Sequence, residues 1–168
     1  MAASGSPETA PIVRNVKRTG GIIAVVGGLL AALAYWVMPV ATIPLVGSVT
    51  APALIEEASD TASLGLLRIV PVAAIVTILL GFWLLLARPS GRFRPVAAVV
   101  VLLCSLLTVV AYLIPLGRID NAITSSGASE LGIRATTFTG AGFWLAIIGA
   151  VVAAIGAIVE LSSLRAPA

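Results

Sequence analysis

Four stretches of this 168-residue chain contain no charged side chain: about 20–40, 69–87, 95–114 and about 137–159. An α-helix rises ~1.5 Å per residue, so ~20 apolar residues cross the ~30 Å hydrocarbon core of a bilayer. Each stretch has about that length and stops at a charge, a proline or both. Composition points the same way. The chain is 60% hydrophobic and 10% charged, with a mean hydropathy of +1.14, whereas a water-facing domain carries about 25% charged residues. The expected fold is an all-α membrane protein: a four-transmembrane-helix bundle of two helical hairpins over residues 20–162. Tails of 1–19 and 163–168 flank it.

Charge sets the orientation. Arg14, Lys17, Arg18, Arg88, Arg92, Arg94 and Arg165 fall on one side of the four spans. Arg68, Arg118 and Arg134 fall on the other, with Glu56, Glu57, Asp60, Asp120 and Glu130. The positive-inside rule makes the first side cytoplasmic and places both termini there, in a multi-pass protein of the cell membrane. The first span has a basic lead and an Ala32-Leu33-Ala34 triplet, as a signal peptide has. Its apolar run exceeds the ~7–15 residues of such a segment, and cleavage would move the basic turn RPSGRFR (88–94) to the wrong side. An uncleaved first helix is expected. In that turn Pro89, Ser90 and Gly91 make the bend, and Arg88, Arg92 and Arg94 are expected to meet anionic lipid headgroups.

The first outer loop, 41–68, contains TAPALIEEASDTASLGLL. Leu54, Ala58, Ala62 and Leu66 recur at four-residue spacing, and Thr50 with Pro52 suits a helix start, which predicts a short amphipathic helix. The second outer loop, 117–135, carries a weaker version with Ile119, Ala122 and Ile123 on one side. The halves echo one another. AYWVMP and AYLIP close the first and third spans, while SLGLLR and ELGIR precede the second and fourth. Either duplication or a narrow residue vocabulary produces such an echo.

The fourth span, TGAGFWLAIIGAVVAAIGAIVE, opens on Gly140-Ala141-Gly142 and repeats glycine at Gly142, Gly149 and Gly156. A dinucleotide fingerprint needs a third glycine where Leu145 stands, on a soluble strand–turn–helix unit, so that reading fails and Glu160 at acidic spacing is accidental to it. The small residues instead form rows: Gly142, Ala146, Ala150 and Ala154, beside Gly149, Ala153 and Ala157. The first span has Gly20, Ala24, Gly28 and Ala32, flanked by Gly27 and Ala31. Lipid supplies no hydrophobic force between helices, and close approach across small residues holds them together. The first and fourth helices are thus expected to carry the close contacts, each other being one available pairing. The Val-, Leu- and Ile-rich second and third helices face lipid or a partner.

The remaining chemistry is sparse. The chain has no histidine and one cysteine, Cys104, inside a span, so intramolecular disulfides and the commonest base, metal ligand and haem ligand are missing. No ionisable residue falls at the midplane of a span, which argues against a proton-coupled pump. Thr77, Cys104, Ser105 and Thr108 are the most interior polar groups, and helical Ser and Thr ordinarily bond their own backbone. Glu56, Glu57 and Asp60 read as a solvated face before a cation site. Arg68 and Arg134 hold matched places before the second and fourth spans, where they snorkel or meet carboxylates or phosphate. Trp36, Trp83, Trp144, Tyr35 and Tyr112 lie near span ends, as an aromatic belt requires. Nine arginines against one lysine suggest a high-GC bacterial genome.

The Y-W-V-M-P end of the first span and the G-x-G-F-W-L-x-x-x-G-x-x-x-x-x-x-G of the last resemble a widespread class of small four-span prokaryotic membrane proteins. That class defines no catalytic residues, so the resemblance implies a fold and no site. The layout also resembles that of claudin-like proteins, whose first-loop tryptophan and paired cysteines have no counterpart here. The functional expectation is a non-catalytic accessory subunit of a larger membrane complex, such as a respiratory or photosynthetic assembly. It would act through helix packing, without a cofactor, metal or nucleic acid, and its partners would be other integral membrane proteins and lipids. The alternative is a homo-oligomeric small channel or lipid-handling protein with the glycine faces as subunit contact. An enzyme ranks last.

Overall fold

The structure, a computed structural model, describes residues 10–43, 47–57, 64–86, 93–126, 130 and 134–165. Four long helices dominate it: α1 (Ala10–Trp36), α3 (Ile69–Leu86), α4 (Arg94–Ser125) and α5 (Ala141–Arg165). Each contains a segment apolar and long enough to cross a membrane. The chain is a four-helix membrane bundle, as its apolar runs require. The helices close into a ring in which α1 touches α5 and α3, and α4 touches α5 and α3; the α1–α5 pair is the most extensive.

The hairpin end of the bundle, opposite the chain termini, carries the smaller elements. After α1 come strands β1 (Pro39–Ile43) and β2 (Gly47–Thr50), antiparallel, with Ala41 opposite Val49 and Ile43 opposite Gly47. Gly47 has φ +98°, a left-handed conformation that glycine adopts without strain. The seven-residue α2 (Ala51–Glu57) follows, and 3-10 turns at Leu64–Arg68 and Ala135–Phe138 lead toward α3 and α5. The hairpin replaces the last residues of the expected first span: the helix stops at Trp36 because Pro39 and Val40 are drawn into the sheet. Val40 also accepts a 2.8 Å hydrogen bond from the Gly140 N–H.

The amphipathic helix expected across 54–66 is described only at its two ends. Its beginning is the short α2, whose buried residues are Ala51 and Ile55, with Leu54 half-buried. Ala58, Asp60 and Ala62 lie outside the described residues, as do Arg88 and Arg92, and Leu66 belongs to the 3-10 turn. The echoed Tyr–Pro segments also diverge. Pro39 enters a strand, whereas Pro115 lies inside α4, buried, and the helix runs on for ten more residues to Ser125. Proline removes one backbone hydrogen bond and crowds the carbonyl four residues back, yet a packed helix can absorb this. Here the last turns of α4 pack on the Ala135–Phe138 turn, and the Asp120 carboxylate accepts from the Ala135 N–H at 3.3 Å.

Two buried clusters fill the ring. One, toward the hairpin end, gathers Tyr35, Val40, Ile55, Leu67, Val70, Tyr112 and Phe143; the other centres on Ala24, Val101 and Ala157. Trp36, Trp83 and Trp144 are exposed near helix ends, but Tyr35 and Tyr112 are buried and do not belong to an aromatic belt. Ser105 and Thr108 bond the carbonyls of Val101 and Cys104 one turn back.

Candidate functional site: a glycine seam, an ion-pair node and an apolar chamber

The glycines of α5 meet the glycines of α1. A Cβ built on Gly149 would lie 2.7 Å from the Ala31 nitrogen and 2.8 Å from the Gly27 carbonyl oxygen. One on Gly156 would lie 2.6 Å from the Ala24 nitrogen and 2.7 Å from the Gly20 oxygen, and one on Gly27 would collide with the backbone of Gly149 and Ala153. The helices run antiparallel with backbones in contact. Along α1 the seam is Gly20, Ala24, Gly27, Ala31 and Ala34; along α5 it is Gly142, Ala146, Gly149, Ala153, Gly156 and Glu160, all buried. This alternation of four- and three-residue steps is the spacing of helices packed at a shallow crossing angle.

Two details of the expected rows change. Gly28 faces α3, where a Cβ would meet the Ile78 and Thr77 side chains, and Ala32 is only half-buried. A straight four-residue row drifts around a 3.6-residue helix, so Gly27 and Ala31 take the places assigned to Gly28 and Ala32. Ala150 and Ala157 are buried beside the seam, whereas Ala154 is half-buried. The Gly140-Ala141-Gly142 motif is also a packing device: a Cβ on Gly140 would strike the Pro39 carbonyl, and one on Gly142 would lie 2.9 Å from the Met38 oxygen.

At the end of the bundle that holds both termini, Arg94 pairs with Glu160. Their side chains are 3% and 1% exposed, so Arg94 is not the headgroup contact expected from its place in the basic turn. Its guanidinium also lies 3.4 Å from the Leu84 carbonyl. Gly20 gives the carboxylate room, since a Cβ there would lie 3.0 Å from Oε2. All four long helices therefore converge on one ion pair: α4 supplies the cation, α5 the anion, α3 an acceptor and α1 the space. Ionisable groups within membrane spans pair with one another because an isolated charge there costs at least a few kcal/mol.

At the hairpin end an open-mouthed apolar chamber of about 70 Å³ lies between α4, α5, β1, α2 and the two 3-10 turns. Its wall includes Leu54, Leu67, Tyr112, Ile119, Phe138 and Phe143. The rings of Tyr112 and Phe143 meet edge to face at 5.5 Å. Tyr112 is 2% exposed, and outside the ion pair its hydroxyl is the one buried side-chain oxygen without a hydrogen-bond partner among the described residues. Leaving such a group unpaired costs about 1–3 kcal/mol.

Of the other charged positions, Arg68, Arg118, Arg134, Glu56 and Glu130 are exposed. The structure thus defines a class: an antiparallel four-span helical bundle, zipped by a glycine seam and pinned at one end by a buried ion pair. Comparison with protein-family models, with curated proteins and with solved structures finds no match.

Proposed function

We propose that this chain is a non-catalytic accessory component of a larger membrane assembly, lying in the cell membrane with both termini cytoplasmic. What supports this reading is where the small and the large side chains go. The small-residue faces, the natural subunit contact of a homo-oligomer, are filled by α1 and α5 of the same chain. The face left outward is a concave, wholly apolar groove between α3 and α4, lined by Leu80, Trp83, Phe93, Val96, Ala97 and Val100. Trp83 and Phe93 are 40% and 71% exposed. Large aromatics on an apolar concavity are the anchors that interfaces use, and the occupant that fits is an apolar transmembrane helix of a partner.

In mild detergent the protein is expected to purify with larger stoichiometric partners. The double variant Trp83→Ala/Phe93→Ala should release them, each anchor contributing about 2 kcal/mol, or roughly thirtyfold in affinity. A monodisperse particle of 17.0 kDa or a small multiple contradicts the proposal. Orientation has its own test, in a Cys104→Ser background. A cysteine at exposed Thr136 should react with a membrane-impermeant maleimide on intact cells, and one at exposed Ser162 should react only after lysis. The reverse pattern inverts the topology.

A further inference from the structure

We propose that the chamber at the hairpin end seats the ester-proximal methylenes of one acyl chain of a glycerophospholipid, whose ester carbonyl accepts a hydrogen bond from the Tyr112 hydroxyl while the rest of the chain leaves through the open mouth. Four observations meet there. The wall is apolar, as a hydrocarbon tail requires. Its one buried hydroxyl lacks a partner, and a carbonyl is an acceptor of the right kind.

Depth agrees as well. Tyr112 stands eighteen residues beyond Arg94 on one helix, which places it about 27 Å farther along at ~1.5 Å per residue. With Arg94 at one boundary of the ~30 Å hydrocarbon core, Tyr112 comes at the other, where tails give way to ester groups.

Charge is the fourth. Chamber residues Leu67, Ile119 and Ala135 are each next in sequence to an exposed arginine, Arg68, Arg118 and Arg134. The carboxylates of the described residues at this end are Glu56, Glu57, Asp120 and Glu130, and Asp120 is engaged with the Ala135 N–H. Cations at headgroup level favour an anionic phosphate. This site is independent of the α3–α4 groove and of any partner seated there.

The test crosses two lipids with two proteins. Phosphatidylglycerol carrying a photoreactive diazirine in its acyl chain, and the diether analogue without ester carbonyls, are each incorporated into nanodiscs with the full-length protein. Wild type and Tyr112→Phe are compared by mapping the cross-linked residues. In wild type the ester lipid should label Leu54, Leu67, Ile119 and Phe138 above the lipid-facing residues Leu79 and Leu103. It should do so about fivefold more than the diether, one ordinary hydrogen bond being about 1 kcal/mol. Tyr112→Phe should abolish that preference and leave Leu79 and Leu103 labelling unchanged. Chamber labelling no higher than at Leu79 overturns the site. An ester preference that survives in Tyr112→Phe overturns the hydrogen bond. A folding check comes from the melting temperature of each nanodisc sample. Should Tyr112→Phe fail to fold, the ester-over-diether ratio in wild type decides alone, and a ratio near one overturns the proposal.

Discussion

Arg94→Met alone is expected to destabilise the bundle by on the order of 3–5 kcal/mol, and the double variant Arg94→Met/Glu160→Met to recover most of that loss. The single change leaves a carboxylate that is 1% exposed with its cation removed, amid four packed helices. A buried charge stripped of its partner is far more costly than the pair itself is favourable. Replacing both by apolar side chains of similar reach removes the unpaired charge, so the double variant should fall within about 1 kcal/mol of wild type. Glu160→Met alone should also be damaging, though less so, because the long arginine side chain can extend toward the headgroups. Unfolding of the purified protein in mixed micelles, titrated with a denaturing detergent, gives the three values. Additive single changes of under about 1 kcal/mol each would show that the pair is not a structural centre.

Adding one methyl group to the seam is the second large effect. Gly27→Ala or Gly149→Ala places a Cβ inside van der Waals contact with the facing backbone, and backbone cannot step aside as a side-chain tip can. Overpacking of this kind costs typically about 1–3 kcal/mol, and the stiff antiparallel contact puts these two sites at the upper end. Gly117→Ala is the matched control. It lies in α4 with nothing within 4 Å of the new Cβ, so helix propensity alone acts and should stabilise by up to about 1 kcal/mol. The same unfolding titration reads both. Equal effects at Gly149 and Gly117 would mean that the α1–α5 contact is looser than the structure has it.

The four helices were legible because crossing lipid imposes a length and a hydropathy that survive any detail of packing. Small residues on the first and last spans likewise pointed to the contact between them. Which glycine faces which helix was harder to read, because Gly27 and Gly28 differ by only ~100° around α1. The heptad interval shared by Gly20–Gly27 and Gly142–Gly149–Gly156 was the available signal for the seam.

The ion pair was missed for a different reason. Arg94 and Glu160 are sixty-six residues apart in sequence, and each taken alone is an ordinary charge at a span end. Only the ring closure of α4 on α5 brings them together. The β-hairpin was hidden by the hydrophobicity of PVATI, which reads as the tail of a span. Its β-branched residues and the glycine at position 47 were the contrary cue. The chamber had no sequence signature at all, being assembled from six separate elements.

The central claim is that α1 and α5 close on each other within one chain, leaving α3 and α4 outward. It is tested most directly by disulfide trapping of Met38→Cys/Gly142→Cys in a Cys104→Ser background. A Cβ on Gly142 lies 3.0 Å from that of Met38, so a shift of under about 1 Å reaches the ~3.5–4.5 Å of a disulfide. Mild oxidation of mixed tagged and untagged protein in native membranes should give a cross-linked monomer and no tagged–untagged dimer. A dimer as the main product would place the glycine seam between chains and contradict the account.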